Sequence, residues 1–412
     1  MSNDNQHIPS GYKPSPLGII PEDWEVKRLG ELFTFKNGVN ASKESYGEGV
    51  KFVNTMDVLN NTFIDNHVIR GKVKVNDRIK EEFIVSNGDV LFNRTSETRE
   101  EVGCSAVYND SEEAVFGGFI IRAHDIKSNI LDLLYKGYCF QPSYIRNQIS
   151  ALGNGAIRYN LGQEDLSRVK LLIPPLPEQQ RIVSLLSLWD TAIAKQTALI
   201  EQLTLRKRGL MQQLLTGKKR LKGFEEGSFH RLGNYISECN RRNNGCKRVL
   251  SVTNTRGFIL QEEQFDKIVA SNDTSNYKVV RRGEFAYNPS RVNVGSLAML
   301  NEYDEGILSP MYIVFKANEN IDKSYLLQCL QSWWFRGHIP AYTQGSVRDS
   351  LSFDGLCSMK FYIPTLQEQK AISAILERAD KEIEIQKQKL AAMQEQKRGL
   401  MQVLLTGKKR II

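Results

Sequence analysis

Fourteen consecutive residues occur twice almost unchanged, KRGLMQQLLTGKKR at 207–220 and KRGLMQVLLTGKKR at 397–410, differing only at Gln213 and Val403. The offset of 190 residues, carried backwards, superimposes Ile173-Pro174 on Ile363-Pro364, Glu178-Gln179 on Glu368-Gln369, Asp190 on Asp380 and Gln196 on Gln386. Self-similarity at a fixed offset dictates the architecture before any local signal does. In a chain of 412 residues it describes two half-chains joined in tandem.

Each copy opens on prolines, IPPLPEQQ or IPTLQEQK, and runs about 38 residues to Thr216-Gly217 or Thr406-Gly407. Proline at the start and glycine past the end bracket a helix, here roughly 55 Å long at 1.5 Å per residue. Alternating steps of four and three residues pick out Ile182, Leu186, Trp189, Ile193, Gln196, Ile200, Leu203, Lys207, Leu210 and Leu214. The second copy gives Ile372, Leu376, Ala379, Ile383, Gln386, Leu390, Met393, Lys397, Leu400 and Leu404. A seam of period 3.5 is that of a coiled coil. Both seams are broken at matched places by Gln and by Lys, and a polar seam residue lowers stability while fixing register or partner.

Around the helices lie two stretches of another texture, with short β-rich runs such as FIVSNGDVLF (83–92) and MYIVFKA (311–317) broken by Gly, Asn and Asp. Each reads as an α+β domain with a strand-dominated core. Landmarks align loosely: WEVKRLGEL (24–32) with SFHRLGNYI (228–236), NGDVLFNR (87–94) with RGEFAYNP (282–289), GNGAIRYNL (153–161) with TQGSVRDSL (343–351). The expected domains are 1–175, a helix at 176–222, a second globule at 223–365 and a second helix at 366–412. Near-identical helices beside divergent globules suggest one shared partner and two different targets.

The net charge is +8, and twelve positive charges sit in 206–222 and 396–410 without one acid, so the rest of the chain is slightly acidic. Cations at a helix C-terminus are favoured by the macrodipole alone; phosphate or a partner's acidic face is the alternative. Nucleic-acid contact by the globules therefore rests on arginines in Gly- and Asn-rich loops: Arg94, Arg99, Arg158 with Tyr159, Arg291 and Arg348. The planar guanidinium can grip guanine bidentately or bridge phosphates. Arg158 and Arg348 match at the repeat offset, each three residues after a Gly and three before a Leu.

Several classes drop out. The six cysteines include no C-x-x-C pair and the five histidines are scattered, so a zinc site has no scaffold. No cofactor or phosphate loop occurs, since LTGKKR lacks the first glycine and the final hydroxyl of a P-loop. Asn288-Pro289-Ser290-Arg291 lacks the second proline and closing aromatic of an adenine-methyltransferase site and reads as a loop. Asp23, Glu25 and Lys27 are too close in sequence to converge on one metal as a nuclease core requires. The polar start and the lack of a long apolar run argue against export or a membrane span and for the cytoplasm.

The opening YKPSPLGIIPEDWEVKRLGEL (12–32), the GDVLFNRTSE segment (88–97), both helix starts and both KRGLMQxLLTGKKR endings together resemble the specificity subunits of type I restriction-modification systems. That resemblance implies two target-recognition domains, each reading half of an asymmetric, bipartite site in double-stranded DNA. It also implies an antiparallel coiled coil of the two repeated helices, in a pseudo-twofold arrangement, as spacer and as dock for two methylation subunits. Restriction subunits would join through the methylation complex. The chain itself would hold no cofactor; S-adenosylmethionine, ATP and Mg would belong to the partners. The other reading is a coiled-coil assembly adaptor whose globules bind protein.

Overall fold

The computed structural model describes residues 8–155, 158–254, 256–264, 273–343 and 350–411. The chain divides into two compact units, Met1–Lys195 with Leu390–Ile412, and Gln196–Lys389. Both long helices are shared between the units.

The elements that matter in the first half are β1 (Glu25–Arg28), β2 (Phe33–Asn37), β3 (Phe63–Ile64), β4 (Val90–Asn93), β5 (Thr95–Ser96), β6 (Ser105–Tyr108), β7 (Ile120–Asp125), α1 (Leu133–Cys139), α2 (Ser143–Leu152), β8 (Tyr159–Asn160), β9 (Lys170–Ile173) and α3 (Leu176–Leu214). The second half supplies β10 (Ser228–Arg231), β11 (Ile236–Glu238), β12 (Phe285–Tyr287), β13 (Leu297–Met299), β14 (Ile313–Ala317), α4 (Lys323–Gln331), α5 (Trp333–His338), β15 (Lys360–Ile363) and α6 (Leu366–Leu404).

In the first unit the main sheet runs β2-β7-β4-β6-β3, antiparallel except for β6 on β3. In the second it runs β11-β14-β12-β13, all antiparallel. The first four strands of the five-stranded sheet repeat the order of the four-stranded one, with β3 an addition, so the loose landmarks of the sequence mark a shared framework. The two-stranded pairs β1-β9 and β10-β15, joining the landmark runs to the strand before each helix, are likewise repeated. Val90, Leu91 and Phe92 are covered on both faces and so form a continuous apolar run in place of an alternating one, as do Phe285, Ala286 and Tyr287.

The long helices stop as the sequence signals. Gly217 and Gly407 both have φ +70, a left-handed cap that glycine adopts without steric cost. The Lys219 and Lys409 amides reach back to the Gln213 and Val403 carbonyls, each at 3.0 Å. A Cβ at Gly217 would lie 2.7 Å from the Tyr362 ring, and one at Gly407 2.5 Å from Pro21.

Within each unit the start of one helix runs antiparallel to the end of the other. In the first unit Glu178 meets Arg410 and Asp190 meets Lys397, while Ile182, Val183 and Leu186 share a core with Met401, Leu404 and Leu405. In the second, Glu368 meets Arg220 and Asp380 meets Lys207, with Ile372 and Leu376 packed beside Leu214 and Leu215. The ends of the seams thus sink into the globular cores. Trp189, Ile193, Ile200, Leu390 and Met393 are half-buried, whereas Leu203 and Ile383 are buried.

The polar interruptions of the seams are paired. The Gln196 amide, 6% exposed, donates to the Gln386 side-chain oxygen at 2.8 Å and to its backbone carbonyl at 3.1 Å. Lys207 donates to Asp380 at 2.5 Å. In the first unit Lys397 donates to Asp190, which also accepts the Tyr138 hydroxyl of α1 at 2.7 Å.

Candidate nucleic-acid interface

Strands β5 and β8 build a short arm on the first unit, with Thr95 opposite Asn160 and Ser96 opposite Tyr159. The Thr95 hydroxyl donates to the Asn160 side chain at 2.7 Å, and the Leu161 amide donates to the Arg94 carbonyl at 2.9 Å. Asn154 and Asn160 exchange backbone hydrogen bonds at 3.0 and 2.8 Å. Between them Gly155, at φ +141, brings its Cα so close to the Arg158 carbonyl that a Cβ would stand 1.9 Å from that oxygen. Position 155 therefore admits only glycine.

This arm draws together four of the arginine-loop candidates from distant positions. The Arg99 guanidinium lies 5.1 Å from the centroid of the Tyr159 ring, a cation–π geometry. Arg158 stands 3.6 Å from Glu97, with side chains 61% and 79% exposed; a pair so open to water contributes little and leaves the guanidinium exchangeable. Arg94 is half-buried at the base, donating to the Gly118 carbonyl at 3.3 Å. The exposed Arg99 and Arg158 heads beside the half-buried Tyr159 ring can contact phosphates or bond to base edges.

In the second unit the Leu351 amide donates to the Pro289 carbonyl at 3.1 Å, the bond that Leu161 makes to Arg94 in the first. Pro289 thus stands where Arg94 does. Arg291 is exposed two residues on, at the start of a short 3-10 turn, Val292–Val294. Its carbonyl accepts the Val294 and Ser296 amides at 3.2 and 3.1 Å, and its own amide donates to the Asn288 carbonyl at 3.0 Å, so the Asn-Pro-Ser-Arg run is a tight loop. Arg348 lies outside the described residues.

Sequence reasoning missed what supports the first arm. Arg146 of α2 donates to the carbonyls of Gly103, Glu100 and Val102 at 2.6, 2.9 and 2.7 Å. Ser96 donates to Glu101 at 2.6 Å, and Asn93, 0% exposed, to the Glu101 carbonyl at 3.1 Å. A signal was available: Arg146 and Arg336 match at the repeat offset.

The acid of each Gly-acid landmark serves the framework. Asp89, 2% exposed, accepts the Ser86 amide at 2.8 Å and lies 2.6 Å from His124 Nδ1. Burial pushes its carboxyl above the ordinary range, against the Ser86 amide, His124 and Arg122, which favour the charge. Glu284 in the second unit accepts the Arg281 amide at 2.8 Å and the Arg241 guanidinium. Asp23 and Glu178 together hold Arg410, and Glu178 also accepts the Trp24 indole at 2.9 Å. The acid near Glu25 and Lys27 is thereby committed to a joint.

Gln179 and Gln369 are equally structural: each donates to the carbonyl of the proline opening its own helix, at 2.8 and 2.9 Å, and accepts the Asp132 or Asp322 amide at 2.8 or 2.7 Å. Of the basic clusters at the helix ends, Arg206, Lys207, Arg220, Lys397 and Arg410 are paired with carboxylates of the facing helix. Lys218, Lys219, Lys408 and Lys409 point outward, exposed.

Burial pushes the Cys104 thiol beside the arm upward, which keeps it protonated and poorly nucleophilic at neutral pH. Among the described residues no group of three or more His, Cys, Asp or Glu is arranged to hold a metal ion, and no helix is long and apolar enough to cross a membrane.

Two like-built units, each a sheet with loops at matched places and a share of both long helices, define a two-headed recognition protein. The type I restriction modification DNA specificity domain matches residues 21–205 and 233–395, and the chain belongs to that family. The type I restriction enzyme MjaVIII specificity subunit of Methanocaldococcus jannaschii is 24% identical over 420 residues, spanning 95% of this chain and 94% of that one. The StySPI specificity subunit of Salmonella potsdam is 25% identical over 189 residues, 43% of this chain and 38% of its own. Among solved structures, the type I restriction-modification S subunit of M. genitalium shares the fold at TM-score 0.52 and 15% identity over 93% of this chain and 96% of its own. A chain from a study of complex assembly and conformational transition in the type I R-M system does so at 0.58 and 16%, over 95% and 99%.

Proposed function

We propose that this chain is the sequence-reading subunit of a type I restriction-modification enzyme and performs no covalent chemistry itself. The first unit reads one half of an asymmetric, bipartite site in double-stranded DNA and the second unit reads the other. The long helices set the spacer and dock two methylation subunits, through which restriction subunits join. Those partners use S-adenosylmethionine for N6-adenine methylation and ATP with Mg for restriction. Work on the chromosome requires the cytoplasm.

The observation that carries this reading is the arm of β5 and β8, which sets the exposed Arg99 and Arg158 beside the half-buried Tyr159 ring in a chain whose family is one of DNA specificity. Near-identical helix ends beside divergent recognition loops suit two copies of one partner and two different half-sites. A protein-binding adaptor accounts for the helices but gives the arm and the family match no role.

Methylome sequencing of the host tests it. Arg158→Ala is expected to degrade reading of one half-site and Arg348→Ala the other. Equal loss at both halves, at fixed salt, would reduce these arginines to phosphate contacts. A chain whose complex shows no salt-sensitive affinity for DNA would be an adaptor instead.

A further inference from the structure

We infer that Arg146 is a positioning residue for reading of the first half-site: it holds the loop that carries Arg99 and contacts no DNA itself. The inference rests on the reading of the β5–β8 arm as a DNA contact.

The loop between β5 and β6 contains Glu97, Arg99 and Glu101, and its ends are pinned by sheet bonds. Between them its return limb, residues 100–103, presents three carbonyl oxygens to one guanidinium, with Nη1 on Gly103 and Nη2 on both Glu100 and Val102. A planar fork with five donors can satisfy three acceptors at once; an ammonium is a compact point charge on a flexible stem.

The same limb is pressed against α2 at Gly103, where φ is +65 and a Cβ would stand 2.2 Å from Ile149. Arg146 and Ile149 lie on one face of α2, three residues apart, so the helix supplies both the grip and the wall. α2 is in turn fixed: Ile145 and Ile149 are fully buried in the unit's core, and Gln148 exchanges hydrogen bonds with the Lys170 backbone at 3.0 and 3.1 Å. Arg99 therefore stands over the Tyr159 ring on a loop whose far limb is bolted to a rigid element. A base-reading side chain discriminates only while its fork is held in a narrow range of positions, and a loose supporting shell loses that.

The matched Arg336 on α5 lies beside the corresponding limb: its Nη2 would be 3.4 Å from a Cβ built on Gly295, which like Gly103 has a positive φ and stands two residues before the next strand of its sheet.

The experiment uses the full chain in complex with its methylation subunit, and probes are duplexes of the site defined by the wild-type methylome, substituted singly in either half. Arg146→Gln and Arg146→Lys are each expected to lower discrimination at one half by about tenfold, the lower end of what one bidentate base contact supplies. Discrimination at the other half stays unchanged, and amides of residues 97–104 exchange deuterium faster. Arg99→Ala is run beside them. If Arg99→Ala relaxes that half while Arg146→Gln leaves it intact, Arg146 has no positioning role and the DNA reading survives. Full discrimination by Arg146→Lys would mean that charge, not the fork, is what counts, and would overturn the inference. Equal loss at both halves would reduce it to general stability. If neither Arg99→Ala nor Arg158→Ala affects either half, the arm does not read DNA and the inference falls with it.

Discussion

Glycines 217 and 407 show how much one residue type decides. Each ends a 39-residue helix at φ +70 and each leaves no room for a methyl group. Gly217→Ala would carry both a left-handed backbone and a Cβ 2.7 Å from Tyr362, whereas Gly223, at φ +90, has open space around it. The expected cost is about 1–3 kcal/mol for Gly217→Ala and about 1–2 for Gly223→Ala, whose backbone alone is strained. Denaturant unfolding that ranks them the other way would show that the cap is not what stops the helix. Residues of this kind were legible because they recur at a fixed offset. Partners were not: nothing in sequence says that Lys397 seeks Asp190, or that Arg410 would be held by Glu178 and Asp23, because those pairs cross more than 200 positions. Arg158 and Tyr159 could be nominated from their loop, but that Glu97 and Arg99 face them follows only from the β5–β8 register.

At the level of elements, the 3.5-residue period predicted both long helices and the structure supplies them. Their seams were only partly legible, since a period does not say which stretch meets a helix and which a globular core. The first turns of each helix, around Ile182 and Leu186 or Ile372 and Leu376, belong to the cores of the two globules. The Gln196–Gln386 pair is one place where helix meets helix through polar groups. Replacing Gln386 alone by Leu leaves the buried Gln196 amide only its bond to the residue-386 backbone carbonyl, an expected loss of about 0.5–1.5 kcal/mol. Replacing both by Leu removes donor and acceptor together and should come close to neutral, or stabilise. A double-mutant cycle in urea measures the difference, and additive losses would mean that the two amides do not act as a pair. If the pair sets register, the double variant should also change subunit stoichiometry by light scattering. The strand order of the globules was not legible at all; the landmark runs aligned, but only the hydrogen-bond ladders reveal that β2-β7-β4-β6 and β11-β14-β12-β13 repeat one plan.

For the whole molecule, each long helix runs unbroken through the residue at which the compact units divide, 195/196 in α3 and 389/390 in α6. Length added at those places belongs to neither recognition loop. A rigid helix gains roughly 5.4 Å per turn, and successive base pairs of duplex DNA are about 3.4 Å apart. Inserting four residues between Leu199 and Leu203 and four between Lys389 and Met393 keeps the seam in phase to within about 40°, since four residues turn about 400° at 3.6 per turn. On the proposed function such a variant methylates a site with both half-sites unchanged and a spacer altered by one to two base pairs. Adenine methylome sequencing of a host carrying it gives the answer directly. An unaltered spacer beside a changed half-site would mean that the helices do not measure distance on the DNA. Loss of all methylation would be decided by binding of the purified complex to duplexes of graded spacer length, where a ruler shifts the optimum and a mere dock for partners does not.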